Sequence, residues 1–216
     1  MAMEVEPLCR VRALAPTLEN LPGGSDATAA INPRGDLLIA EALPQFTEIV
    51  RMGRSYSVIQ QTATAPKTLL PTTTAPVTLW NGESDGGRCY VIDSVFTHVL
   101  ASAAAATPIG VCGMLNIGRK TAPTGALTPK GLAGHTYQGR GLVGLAVSVT
   151  DDGWMPLGNA INGPTSQIAH NVDIFLWGMF IVPPGGMFSV SCLANTAATI
   201  TSRTGIRWHE VQLPLG

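Results

Sequence analysis

Charge is scarce in this sequence: Asp, Glu, Lys and Arg make up only 12% of 216 residues, about half the usual share. The 13 basic and 14 acidic residues are scattered and leave a net charge of −1, so no basic block marks a nucleic-acid footprint. Only a patch assembled in space from Arg51, Arg54, Arg88, Arg119 and Lys120 would supply one. Aromatic residues reach just 6%. The four cysteines, Cys9, Cys89, Cys112 and Cys192, lie far apart with no C-x-x-C pair. Cys112 and Cys192 fall inside apolar strand patterns, which points to buried thiols rather than disulfides. No apolar run is long enough to span a membrane. The opening Met-Ala-Met-Glu-Val-Glu lacks the basic and apolar regions of a signal peptide, and no Asn-x-Ser/Thr site occurs. These absences lead to the expectation of a soluble chain made in the cytoplasm.

Catalytic and metal signatures are missing as well. His98, His135, His170 and His209 are dispersed, with none of the short spacings by which two imidazoles share a metal. There is no G-x-S-x-G elbow and no phosphate-cradling loop. Asp151 and Asp152 precede Gly153 and read as the residues of a tight hairpin turn before Trp154 rather than a calcium or acid/base pair. Arg34-Gly35-Asp36 spells an adhesion tripeptide, best explained as chance in a Gly- and Pro-rich region. The expectation is therefore no catalytic residue, no metal and no cofactor. The four tryptophans, Trp80, Trp154, Trp177 and Trp208, sit in or beside strand patterns, where the default is a ring anchoring the core.

What the chain does have is 45% hydrophobic residues, 24 Gly and 16 Pro. That mixture suits short strands and many turns, and surfaces that end against other protein. Residues 1–55 are broken by Pro7, Pro16, Pro22, Gly23, Gly24, Pro33 and Gly35 and read as an extended N-terminal arm. A disordered tail is the competing reading for residues 1–30. Arg34, Leu37, Leu38, Ile39 and Phe46 are the arm residues expected to grip a neighbour. Residues 56–216 read as a β-sandwich domain. About eight strands are expected, at 56–61, 77–81, 89–100, 109–117, 141–150, 173–182, 187–194 and 205–213, with long loops at 119–139 and 158–171. Eight strands in this length predict an all-β, antiparallel, jelly-roll-like sandwich.

The chain is organised around residues 173–194. Two apolar runs flank Pro183, Pro184, Gly185 and Gly186, which is a hairpin signal, since proline cannot donate and glycine adopts positive φ. After the turn, Phe188, Val190, Cys192 and Ala194 alternate with Ser189 and Ser191, predicting one dry face and one wet. Before it, Phe175, Trp177, Met179 and Ile181 share one face, and Ile174, Leu176, Phe180 and Val182 the other. Such a strand is expected to be covered on both sides, once by the partner sheet and once by a segment, a subunit or a ligand. Phe175, Trp177, Met179, Phe180 and Ile181 are the candidate core and interface residues, and truncating Trp177 is expected to cost about 3–5 kcal/mol.

The run Ile181-Val-Pro-Pro-Gly-Gly-Met-Phe-Ser-Val190, followed by Gly205-Ile-Arg-Trp-His-Glu-Val-Gln-Leu213, resembles the end of β-sandwich proteins from tailed-phage virions. Gly35-Asp-Leu-Leu-Ile-Ala-Glu-Ala-Leu-Pro44 and Tyr90-Val-Ile-Asp-Ser-Val95 have a similar texture. The resemblance implies a virion structural role, as a head decoration (cement) protein, a minor capsid protein or a spike base. It also implies assembly as a homo-oligomer, a trimer foremost, with other virion proteins such as the major capsid protein as partners. Neither a membrane nor direct nucleic acid is expected. The alternative is a carbohydrate- or receptor-binding module of a phage fibre or spike, using the loops at 119–139 and 158–171.

Overall fold

The computed structural model describes residues 10–11, 27–28, 46–100, 107–118, 120–124, 127–162, 170–195 and 200–212. The chain divides into two units, residues 1–45 and 46–216. Of the first, the structure describes one antiparallel pair, β1 (Arg10–Val11) with β2 (Ala27–Thr28). The expected grip residues Arg34, Leu37, Leu38 and Ile39 lie outside the described residues. Phe46 stands with the second unit.

That unit opens with α1 (Thr47–Arg51), a single turn closed by backbone geometry. Gly53 at φ 69 donates to Val50 O, and Arg54 N reaches back to Ile49 O, the paired bonds of a Schellman cap. The rest is antiparallel β-structure. In the first sheet, β3 (Ser55–Ile59), β5 (Cys89–Leu100), β7 (Lys130–Gly131), β10 (His170–Phe175) and β13 (Thr201–Val211) run in the order β10-β5-β13-β3-β7. The two-residue β11 (Ile181–Val182) also pairs with β5. In the second, β4 (Thr74–Trp80), β6 (Thr107–Asn116), β8 (Leu142–Ser148), β9 (Met155–Asn162) and β12 (Met187–Ala194) run in the order β8-β4-β12-β6-β9.

Period-two patterning explains how the two sheets meet. Tyr56, Val58, Tyr90, Ile92, Ile206 and Trp208 of the first sheet and Val77, Leu79, Val111, Phe188 and Val190 of the second form one buried cluster. A smaller cluster, including Val99, Ile109, Cys192 and Ile200, fills one end. Residues 60–67 stitch the sheets together: Thr64 bridges to Ser202 on β13, and Lys67 bridges to Leu193 on β12. The architecture is all-β and sandwich-like, as its patterning predicts.

Four local expectations are corrected. The Pro183–Gly186 reversal does not join paired strands, because β11 hydrogen-bonds in the first sheet and β12 in the second. The turn itself is tight, with Gly186 N donating to Pro183 O, Pro184 at its first corner and Gly185 at φ 77 at its second. Those are the residues a type II turn requires. Asn81 explains why the chain switches sheets there. Its buried amide donates to Val182 O and Arg88 O, and its backbone N–H and C=O pair with Gly186 O and Gly185 N.

Next, residues 173–182 are not one strand: β10 ends at Phe175 and the chain turns before β11. The region from 158 to 171 is not a long loop, since β9 extends to Asn162 and β10 begins at His170. Pro156 and Gly158 hid β9 from a propensity reading, yet proline is tolerated on an edge strand such as this. Lastly, residues 151–153 do not make a hairpin, because β8 and β9 lie at opposite edges of their sheet. They do act as turn residues, with Asp151 Oδ1 accepting from Gly153 N.

Candidate assembly surface

Cross-strand register fixes which side chains share the outer face of the first sheet. Phe96 pairs with Gly205 and Asp173, Ser94 with Arg207 and Phe175, and Val91 with His209 and Ile181. Ile206 and Trp208 point into the core, so their neighbours on β13 face outward. Phe96 lies over Gly205, whose missing side chain makes room for the ring. The Arg207 guanidinium sits 4.9 Å above it in a cation–π contact.

At the edge of this face the chain builds a ridge. Met179 N donates to Leu176 O across Trp177 and Gly178, which have φ of 49° and 78°. Two consecutive left-handed residues in a four-residue reversal define a type I′ turn, where Asn-Gly is the usual pair. A tryptophan in this conformation carries a strain of about 1–2 kcal/mol. The surroundings hold it there. Leu176 and Phe180 are buried in the core, Phe180 packs 5.2 Å from Phe188, and Leu176 N and Gly178 N donate to Asp93 O and Ile92 O.

The side chains between these anchors are thrown outward: Phe175 is 50% exposed, Trp177 62%, Met179 75% and Ile181 38%. Phe175 and Trp177 stack with ring centroids 5.3 Å apart and planes inclined at 26°. Of the covers expected for this outer face, a segment, a subunit or a ligand, the first is not found among the described residues. Of the five candidate residues only Phe180 is in the core, and Trp177 is not a core anchor. The Gly178 within the apolar run was the available sequence signal, since an isolated glycine in a strand pattern marks a break. Backbone strain that presents a large aromatic to solvent is characteristic of binding sites.

Near the ridge, Ser55, His209 and Asp93 come together from three strands. Ser55 Oγ lies 2.7 Å from His209 Nδ1, and His209 Nε2 lies 3.9 Å from Asp93 Oδ1. The His209 interaction holds the Asp93 carboxyl below its ordinary value against the opposing effect of burial. Phe46, at φ 65, stacks on the imidazole at 4.4 Å, and both Ser55 and His209 are buried. The set resembles a hydrolytic triad in composition, yet sealed this way it clamps β3, β5 and β13 to the start of α1. Phe46, expected to act in the arm, is thus packed against the sandwich.

Inside the sandwich, Glu210 is fully buried beside Trp208 Nε1 at 3.5 Å and Arg88 Nη1 at 3.4 Å. Burial pushes its carboxyl above the ordinary value, and burial likewise raises Tyr90 and Tyr137. Cys89, Cys112 and Cys192 are free, buried thiols, with Cys192 pushed up to about 11. Of the other tryptophans, Trp208 is in the core, while Trp80 and Trp154 donate to Lys120 O and Pro71 O. Among the described residues no three His, Cys, Asp or Glu side chains cluster as a metal site, and no helix is long and apolar enough to cross a membrane. No protein-family model matches the chain, and no curated protein sequence is significantly similar to it.

Proposed function

We propose that this chain is a virion structural protein, a capsid decoration (cement) or minor capsid subunit that acts by assembling with copies of itself on the particle. The observation that carries this reading is the ridge of Phe175, Trp177, Met179 and Ile181, uncharged, exposed and presented by a strained turn. Aromatic and Met side chains are enriched in protein–protein contacts, where tryptophan is a frequent energetic anchor. The scarcity of charge supports the same reading, because hidden surface needs little solvation. Strand order supports the finer description of the fold. With β3-β13-β5-β10 facing β4-β12-β6-β9, eight of the strands follow the two Greek keys of a jelly roll, an architecture that viral capsid and lectin domains share. Fold alone is an analogy, and the ridge is what favours assembly.

Sedimentation and electron microscopy of the purified chain test this. Discrete oligomers, trimers foremost, or larger particles are expected, and a stable monomer at micromolar concentration overturns the reading. Deleting residues 1–34 is expected to weaken assembly more than it lowers the melting temperature of the unassembled subunit. A glycan- or receptor-binding module is the second reading, favoured by the stacked, exposed Phe175–Trp177 pair. Glycan-array binding abolished by Trp177→Ala would replace the first reading with this one.

A further inference from the structure

The ridge needs a counterpart, and the opposite face of the same sandwich carries one. Gly110 on β6 pairs with Leu193 on β12 and Asn159 on β9, while neighbouring Ile109 points into the core. Gly110 and Leu193 therefore lie on the outer face of the second sheet. There a groove of about 440 Å³ is lined by Pro108, Gly110, Leu193 and Ala194 together with the uncharged polar residues Thr68, Asn159 and Asn195. It exists because position 110 has no side chain: a Cβ there would meet nothing nearer than Leu193 Cβ at 3.9 Å. No charged residue lines it, and none belongs to the ridge. Its volume lies in the range that accepts a compact apolar group.

We propose that Trp177 and Met179 of one copy insert into the Gly110 groove of a second copy. This deepens, and rests on, the assembly reading above. The occupant is a second copy because an uncharged projection and an uncharged recess are both encoded in this one chain. Since they lie on opposite faces of the sandwich, the contact is head-to-tail. Such a contact closes into a ring, as a trimer would require, or continues as a filament; it does not stop at a face-to-face dimer.

Two full-length variants separate the halves of the contact. Trp177→Asn removes the projection and places a residue suited to positive φ in the turn. Gly110→Leu fills the recess, where space is free and the backbone is not left-handed. Each variant alone is expected to associate about 30-fold more weakly than the parent or worse, the loss that defines an interface hot spot. Mixing the two is expected to yield a 1:1 dimer by sedimentation, because one intact projection then meets one intact recess. Thermal melting checks that each is folded. Should Gly110→Leu melt early, Leu193→Glu introduces a charge beside the same groove from a half-buried position.

If Gly110→Leu and Leu193→Glu both assemble like the parent while Trp177→Asn does not, the ridge meets another surface; the pairing is overturned and the assembly reading stands. A mixture that remains monomeric overturns the head-to-tail geometry. A parent chain that is itself monomeric overturns both, and if it then binds a glycan or a different protein through Trp177, that ligand is the ridge's occupant.

Discussion

The two segments on either side of the Pro183–Gly186 turn exchange the roles that their sequences suggest. Residues 173–182, apolar on both faces, leave one face open to solvent. The β12 strand, with serines alternating against apolar residues, is buried on both. Alternation reports which side chains face the same way; it does not report what lies over that face. β12 is the central strand of its sheet, flanked by β4 and β6. Ser189 and Thr78 from β4 are both fully buried there, their hydroxyls joined by a 2.9 Å hydrogen bond. The loop through Lys120 is tied to the same region by Lys120 N–H to Gly185 O and by the Trp80 indole to Lys120 O. Residues 173–182 lie at a sheet edge, where the described residues supply no such cover.

The largest test of this contrast sets Phe188 against Trp177. Phe188→Ala is expected to lower the unfolding free energy by about 3–5 kcal/mol, because a fully buried ring leaves a cavity between the sheets. Trp177→Ala in the unassembled subunit is expected to change it by less than about 1 kcal/mol, as exposed positions do. Urea denaturation of both variants decides this, and equal losses would restore Trp177 to the core.

Asn81→Ala comes next, at about 3 kcal/mol or more in the same assay. It strands Val182 O and Arg88 O as acceptors and Glu83 N as a donor where the chain changes sheets.

A pH series separates the two faces of the first sheet. Glu210, inside, has a raised pKa, so its contribution to stability is present below the unfolded value of about 4.3 and is lost as pH rises through the folded value. Glu210→Gln is therefore expected to gain on the parent as pH rises above the unfolded value of about 4.3. Asp93, toward the outside, has a lowered pKa, so its contribution is present above its unfolded value and is lost as pH falls through the folded one. Asp93→Asn is expected to lose most at neutral pH and least in acid. Melting temperatures across the pH range check both signs.

The smallest effects fall within β12. Ser189→Ala leaves Thr78 unpartnered and is expected to cost about 1 kcal/mol. Ser191 Oγ is buried without a hydrogen bond, so Ser191→Ala is expected to be neutral or to stabilise by up to about 1 kcal/mol. A wet outer face would make both substitutions silent.

Much of the fold was legible because side-chain period and turn chemistry are local. Phe188, Val190, Cys192 and Ala194 share the buried face that alternation gave them, and the double-proline reversal is a turn of the type its residues demand. The candidate site was legible only in part. Phe175, Trp177, Met179 and Ile181 do share an outer face, but their exposure was not readable. Neither was the convergence of Ser55, Asp93 and His209, or of Gly110 and Leu193, because each set joins strands far apart in the chain.

The sequence by itself determined an all-β chain: short apolar periods of two and frequent Gly and Pro leave no stable alternative of long helices. Tertiary structure decided which sheet each strand enters, which serines lose their water and which aromatics keep it. The physical reason is that burial depends on neighbours brought in from distant parts of the chain, whereas strand propensity and turn formation depend on neighbours along it.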